Sequence, residues 1–123
     1  MTSVKKISPM LAVADMQQSI AFYRDVLGFG VEMESADYSI VVRDGATIHL
    51  ARAASDEVMA CVRGHAEIYI EVDDLSEMWA AVEPLKDRFK IRGLIEQPYG
   101  MTEFHIGDPN DCLVFVGQPT RTE

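Results

Sequence analysis

Histidine and glutamate side chains on predicted strands are the groups in this chain best suited to chemistry. His49 and Glu67 lie in short segments that alternate like strands, and His105 lies just ahead of the Asp108-Pro109 turn. Imidazole and carboxylate groups exchange protons near neutral pH and bind divalent metals. A His49–Glu67 pair can act as acid and base, can bind polar groups of a ligand, or can be two partly solvated residues at the rim of a sheet.

No other catalytic or cofactor-binding pattern is present. The 123 residues contain no G-x-G-x-x-G, phosphate-binding loop, H-E-x-x-H or nucleophile elbow. The two cysteines, Cys61 and Cys112, are too few for a disulfide scaffold, and neither sits in a metal-type cysteine pair. Chemistry in this chain therefore depends on histidine, carboxylate and aromatic side chains, and we expect reduced thiols.

The charge balance restricts the class of partner. The chain has 11 basic and 20 acidic residues, a net charge of −9. This balance argues against nucleic acid and anionic lipid, because both are bound through basic surfaces, whereas neutral or cationic partners fit it better. Acidity also simply keeps proteins soluble. We find no signal-peptide pattern and no run of about 18 apolar residues, so we expect a cytoplasmic protein without a membrane partner.

The first half of the chain is predicted to contain one helix and four strands. Asp15 can cap a helix over 15–27, and Gly28 follows as its C-cap. Asp44-Gly45 is a strong hairpin signal. The predicted strands are 7–13, 29–35, 38–43 and 46–52.

The same order of elements then recurs, which indicates a duplicated unit. Asp74 opens a helix over 74–83 that ends at Pro84. Asp15 matches Asp74 and the hairpin at Asp44-Gly45 matches the Asn110-Asp111 turn, so the second half is about seven residues longer. Its predicted strands are 66–72, 89–95, 102–107 and 112–117. We expect one α+β domain over 1–123, with module 1 at about 5–52, a linker at 53–64 and module 2 at about 65–118.

Three stretches carry a resemblance to a known family. ISPMLAVADMQQSIAFYRDVLGF (7–29) resembles the opening module of the glyoxalase I/bleomycin resistance/extradiol dioxygenase superfamily, also called vicinal oxygen chelate (VOC) proteins. VVRDGATIHLA (41–51) and EQPYGMTEFHIGDPNDCLVFVG (96–117) resemble bleomycin resistance proteins more narrowly. The resemblance implies two paired βαβββ modules that form a concave cavity with helices outside, in a homodimer whose cavities are completed across the interface.

The resemblance also implies positions for a divalent metal. Superfamily enzymes bind it through His, Glu or Gln on the first and last strands of each module. The repeat offsets place those positions at Ser8, Glu67, His49 and Phe115, so only Glu67 and His49 are ligand types. His105 is a candidate third ligand, and His65 can be recruited by a shift of register. In an enzyme, His49 and Glu67 would be the catalytic pair.

Bleomycin-type binders implied by the resemblance use acidic crevices with aromatic walls, because their ligands are cationic and planar. Candidate acids are Glu67, Glu71 and Glu103. Candidate aromatic walls are Tyr38, Tyr69, Tyr99, Phe104 and Phe115, and the polar candidates beside them are His49 and His105.

Two functions are compatible with this pattern. The first is metal-free, cofactor-free binding of a cationic or aromatic compound in an acidic dimer cavity, as an antibiotic-resistance protein would do. The alternative is a metal-dependent glyoxalase-like lyase or isomerase, or a dioxygenase, with His49, Glu67 and His105 as metal ligands. A scaffold that binds only protein partners is a third interpretation.

Overall fold

A computed structural model describes residues 1–120 and divides the chain into two compact units, Met1–Val62 and Arg63–Glu123. Each unit is a four-stranded sheet with helices, so the fold class is α+β, as predicted. No helix within residues 1–120 has the length and apolar character that crossing a membrane requires.

The first unit has the order strand, helix, strand, strand, strand, followed by a short helix. Helix α1 continues into a π-helical turn, Phe22–Val26, and ends before Gly28, whose φ of +75° favours glycine. Its elements are β1 (Met10–Val13), α1 (Met16–Ala21), β2 (Gly30–Met33), β3 (Tyr38–Arg43), β4 (Ala46–Arg52) and α2 (Asp56–Val62).

The second unit repeats the order strand, helix, strand, strand, strand, and within residues 63–120 no helix follows its last strand. Helix α3 passes into a short 3-10 turn, Glu83–Leu85, at Pro84, where the missing N–H prevents a regular continuation. Its elements are β5 (Glu67–Glu71), α3 (Leu75–Val82), β6 (Ile91–Glu96), β7 (Met101–Gly107) and β8 (Leu113–Pro119).

The two sheets share one topology and one register. The strand orders are β1-β4-β3-β2 and β5-β8-β7-β6, and in each sheet the first strand runs parallel to the last. Met10 pairs with His49 in the first sheet, and Tyr69 pairs with Phe115 in the second. His49 and Phe115 are therefore equivalent, as the repeat offset predicts.

Most of the extra length of the second unit lies in one hairpin. The paired residues Val31 and Val41 are ten positions apart, whereas their equivalents Ile91 and Ile106 are fifteen apart. The hairpin of β6 and β7 is thus five residues longer than that of β2 and β3. The added residues include an irregularity in β6 and the turn that follows it.

Alternation along the strands separates a core face from an open face in each sheet. In the first unit the core face carries buried side chains on β1, β3 and β4, namely Leu11, Val13, Val41, Ile48 and Leu50. In the second unit it carries Phe104, Ile106, Val114 and Val116, and Trp79 of α3 packs on Phe104 at 5.4 Å between ring centroids. The opposite face of each sheet carries the candidate binding and catalytic residues.

Three details differ from the sequence-based expectations. The segment 53–64, interpreted as a linker without periodicity, contains α2, which buries Met59 in the first unit. Strand β1 begins at Met10 rather than at residue 7, because Pro9 has no N–H and contributes only its carbonyl, which accepts from the His49 N–H. Phe104, a candidate cavity wall, is fully buried in the core.

Candidate functional site

A buried carboxylate lies at the centre of the candidate site. Glu103 is in β7, between two residues, Thr102 and Phe104, that point to the other side of the strand. Its relative exposure is 0%, although it lies on the face opposite the core. An ionised carboxylate is tolerated in such a place only when hydrogen bonds replace the water that it has lost.

Four side chains supply those hydrogen bonds. Tyr69 donates its O–H to Oε2 of Glu103 at 2.8 Å. The other oxygen, Oε1, accepts from Nε2 of Gln97 at 3.0 Å, from Nε2 of His105 at 2.9 Å and from the O–H of Tyr99. Because a carboxylate can only accept, Nε2 of His105 carries a hydrogen in this arrangement.

The network sets the protonation states of its members. Burial alone would raise the pKa of Glu103, but the hydrogen bonds from Tyr99, His105, Tyr69 and Gln97 outweigh it and lower the pKa from 4.5 to about 2. The hydrogen bond to Glu103 raises the pKa of Tyr99 to about 12, and burial followed by the same carboxylate raises the pKa of Tyr69. At neutral pH the site therefore combines an anion with neutral phenols.

A glycine allows Tyr69 to reach the carboxylate. Gly117 pairs with Glu103 across β7 and β8, and with Glu71 across β5 and β8. A Cβ atom at Gly117 would lie 2.2 Å from the Tyr69 hydroxyl oxygen and 3.0 Å from Cβ of Glu103. The phenol thus crosses β8 through the space that a side chain at Gly117 would fill.

Aromatic rings form a row beside this carboxylate. Tyr69 stacks on Phe115 with 5.9 Å between ring centroids, and Phe115 lies 4.0 Å from the His105 ring. The three residues are neighbours in register across β5, β8 and β7. Tyr69 and Tyr99 are 45% and 60% exposed, so a buried negative charge is flanked by aromatic groups that solvent can reach.

The open face of the first sheet carries a different arrangement, which contains no carboxylate at the position equivalent to Glu103. Tyr38 is hydrogen-bonded through its hydroxyl to Nδ1 of His49 at 2.6 Å, and the two rings meet edge to face. Ser8 is hydrogen-bonded to the hydroxyl of Thr47. By register, Tyr38 is the equivalent of Glu103 and His49 of Phe115, so the duplicated positions have diverged in chemistry.

The residues at the metal positions implied by the resemblance do not fit a metal. The Ser8 hydroxyl is engaged with Thr47, and Phe115, which has no donor atom, stacks on Tyr69. His49 uses Nδ1 for Tyr38, and Glu67 is an exposed residue at the start of β5. Within residues 1–120, no three His, Cys, Asp or Glu side chains are grouped so that they could hold an ion, whereas catalytic zinc needs about three protein ligands.

The structure thus separates the sequence-predicted site residues into groups. Tyr69, Tyr99, Glu103, His105 and Phe115 form the cluster in the second unit, which we call the Glu103 site, and Tyr38 and His49 form a pair in the first. Within the second unit, Glu103 is the carboxylate bonded to a histidine, His105, at 2.9 Å. The His49–Glu67 pair stays a prediction. Glu67 and Glu71 are exposed on the same side of β5 as Tyr69, and His65 is exposed ahead of β5.

Two members of the Glu103 site were missed by the sequence reasoning. Gln97 belongs to the QPYG stretch that carried the resemblance, but an amide gives no signal of its own. Gly117 could have been found from the repeat offset, because its register position opposite Glu103 follows once β7 and β8 are aligned.

A cavity of about 400 Å³ lies elsewhere in the first unit, where β1 and β4 end and α1 and α2 begin. Asp15, Asp56 and Arg52 are its charged lining residues. Asp15 accepts from the backbone N–H of Gln18 and so caps α1. None of the sequence-predicted site residues lines this cavity.

Replacement of Glu103 tests the ionised state of the buried carboxylate. The pKa of Glu103 is lower in the folded than in the unfolded state, so its ionised carboxylate contributes its full stabilisation above about pH 4.5. This contribution is lost as the pH falls toward 2. The lowering from 4.5 to about 2 corresponds to about 3 kcal/mol of folding free energy. Glu103→Gln should remove this part of the acid-dependent loss, as measured by urea denaturation between pH 2 and 7. The exposed Glu71→Gln is the matched control, and an unchanged pH profile in Glu103→Gln would contradict the assignment.

Gly117→Ala tests the crossing of Tyr69 over β8. The added methyl group should break the Tyr69–Glu103 hydrogen bond, at a cost of about 1.5–3 kcal/mol for a bond to a charged group. The pKa of Tyr69 should fall toward its ordinary value of 10, as followed by phenolate absorbance. In a Tyr69→Phe background the same substitution should cost less, because the hydroxyl is gone. An equal cost in both backgrounds would show that Gly117 does not position Tyr69.

Comparison with known proteins identifies the family of this chain. The family model described as the Glyoxalase/Bleomycin resistance protein/Dioxygenase superfamily matches residues 6–114. A bleomycin resistance protein of Geobacillus stearothermophilus is 27% identical over 127 residues, covering 93% of this chain and 96% of its own.

Solved structures share the fold at lower identity. The bleomycin-binding protein from bleomycin-producing Streptomyces verticillus, complexed with copper(II)-bleomycin, superposes with a TM-score of 0.75 at 20% identity, over 99% of this chain and 100% of its own. Lactoylglutathione lyase from Agrobacterium tumefaciens gives 0.74 at 21% identity, over 94% and 95%. These two show the fold alone, while the family model covers most of the sequence. The chain therefore belongs to the glyoxalase/bleomycin resistance protein/dioxygenase superfamily.

Proposed function

We propose that this protein binds and sequesters a cationic, aromatic small molecule of the bleomycin kind, without a metal or cofactor of its own. The observation that carries the proposal is the ionised, fully buried Glu103 beside the half-exposed rings of Tyr69 and Tyr99. Stoichiometric capture of a toxic compound needs affinity and no chemical step.

The electrostatics of the site favour a cation. Glu103 holds its charge through the whole physiological pH range, because its pKa is lowered to about 2. Glu67 and Glu71 add carboxylates on the same side of β5 as Tyr69. The net charge of −9 acts in the same direction by attracting cations to the protein as a whole.

The aromatic row adds affinity for a flat ligand. The exposed ring of Tyr69, which stacks on Phe115, offers an aromatic surface next to the carboxylate. Stacking and cation–π contacts contribute roughly 0.5–2 kcal/mol each. A ligand that is both planar and positively charged would gain from both kinds of contact, whereas a neutral aliphatic compound would gain from neither.

The relatives support the same class of ligand. The 27% identity with a bleomycin resistance protein extends over 93% of this chain, and a protein of the same fold is solved with copper(II)-bleomycin. The enzymatic alternative, a metal-dependent lyase, isomerase or dioxygenase, is supported by the breadth of the superfamily and by the fold of the lactoylglutathione lyase. We do not propose it, because the donors at the expected metal positions do not fit.

Titration with bleomycin tests the proposal. Metal-free bleomycin at about 100 times its Kd should stabilise the protein by about 2.7 kcal/mol in thermal unfolding. Glu103→Gln should weaken binding by about tenfold or more, because the negative charge that attracts the cation is lost. Glu32→Gln in β2 makes the same change in net charge on an exposed residue and should leave affinity nearly unchanged.

Two results would contradict this function. One is the absence of any stabilisation by bleomycin at concentrations that saturate a known resistance protein. The other is equimolar uptake of zinc, nickel, manganese or iron by the dialysed protein, since that would favour the metal-dependent enzyme.

The homodimer and the shared acidic cavity implied by the resemblance belong to the same proposal. Light scattering should give a mass of twice the 13.7 kDa chain at micromolar concentration. A mass equal to one chain, both with and without bleomycin, would show that the binding surface is formed within a single copy.

A further inference from the structure

We propose that a ligand reaches Glu103 by displacing Tyr99 and Gln97, and that the displacing group is a planar cation with paired N–H donors, an amidinium or guanidinium. This inference rests on the proposed function, since it concerns the same Glu103 site. In the absence of ligand, Tyr99 and Gln97 donate to the Glu103 carboxylate in place of the donors that the ligand supplies.

The occlusion of Glu103 makes displacement necessary. The carboxylate has no exposed surface, so no external cation can touch it in this conformation. Its Oε1 atom already accepts three hydrogen bonds and Oε2 accepts one. A ligand that pairs directly with Glu103 therefore has to replace at least one of these donors.

The four donors differ in how they are held. Tyr69 and His105 belong to strands β5 and β7, and both rings are packed against Phe115. Gln97 and Tyr99 belong to the turn between β6 and β7, and Tyr99 is 60% exposed. The turn pair can leave without disturbing the sheet, whereas the strand pair cannot.

The backbone of the turn is fastened independently of these side chains. The Gln97 N–H donates to the Met101 carbonyl at 2.8 Å, and the Thr120 N–H donates to the Gly100 carbonyl at 2.8 Å. Rotation of the Tyr99 and Gln97 side chains therefore breaks no backbone hydrogen bond. The hairpin that carries them is the one with five residues more than its counterpart in the first unit.

The donors that leave define the chemistry of the group that enters. Both donate to the same oxygen, Oε1, so an incoming group must supply two donors within a short span. It must also balance the negative charge of a carboxylate that has no exposed surface. An amidinium or guanidinium meets both needs, and its flat shape can stack on aromatic rings. A quaternary ammonium has no N–H, and a neutral amide has no charge.

The experiment uses three small probes on the full chain, followed by NMR chemical-shift titration. Benzamidine should bind, and benzamide and benzyltrimethylammonium should bind at least tenfold more weakly. Tyr99→Phe should tighten benzamidine binding by about three- to tenfold, because the hydroxyl that must be displaced is absent. Gln97→Ala is a second variant with the same expected direction.

Ser76→Ala is the matched control. It removes a hydroxyl that donates to another carboxylate of the same unit, Asp74, at 2.7 Å and outside the Glu103 site. Its effect on benzamidine affinity should be within about twofold. Thermal unfolding of each variant shows that the fold is retained.

Each result decides the inference. Weaker or unchanged benzamidine binding in both Tyr99→Phe and Gln97→Ala would overturn displacement, as would equal tightening by Ser76→Ala. Equal binding of benzyltrimethylammonium would overturn the requirement for N–H donors. Bleomycin binding without benzamidine binding would leave the proposed function standing and remove this ligand class. Benzamidine binding with the expected variant effects, but without bleomycin binding, would support displacement and remove the proposed function.

Discussion

The replacement of water around one buried carboxylate is the constraint on which the candidate site depends. Glu103 has lost all its solvent contact, and four donors from three separate stretches of chain compensate for that loss. Burial and hydrogen bonding act in opposite directions on its pKa, and the donors prevail. The position of Tyr69, the presence of Gln97 and Tyr99 in the β6–β7 turn and the absence of a side chain at Gly117 all serve this requirement.

Much of the fold was predictable because its signals are local. Alternation marked the strands, and Asp15 and Asp74 marked the helix starts by accepting from backbone N–H groups three residues later. The offset between the two halves also predicts the equivalence of His49 and Phe115, which the strand register confirms. Helix α2 was missed because its short sequence has no clear apolar period and buries only Met59.

The composition of the site was less predictable, for a physical reason. Strand alternation tells which side of a sheet a residue faces, but the partner of a polar group depends on side-chain length and on what neighbouring strands leave open. Glu103 was one of three candidate acids, and nothing local distinguished it from Glu67 or Glu71. Its burial arises from Tyr69 and Tyr99, which lie 34 and 4 positions away in sequence. The prediction that Phe104 lines the cavity wall is wrong, because strand alternation from Glu103 places the next side chain of β7 on the core face.

The requirement for an empty position at Gly117 has a consequence for related sequences. With this strand register, a tyrosine at position 69 and any side chain at position 117 exclude one another, since the hydroxyl oxygen and the Cβ atom would be only 2.2 Å apart. The two positions should therefore vary together among homologues, with glycine retained wherever the tyrosine and the acid at 103 occur together. The residues at positions 69, 103 and 117 would then distinguish two kinds of relatives by sequence alone. One kind carries a buried, hydrogen-bonded carboxylate, and the other uses the same fold to bind a metal.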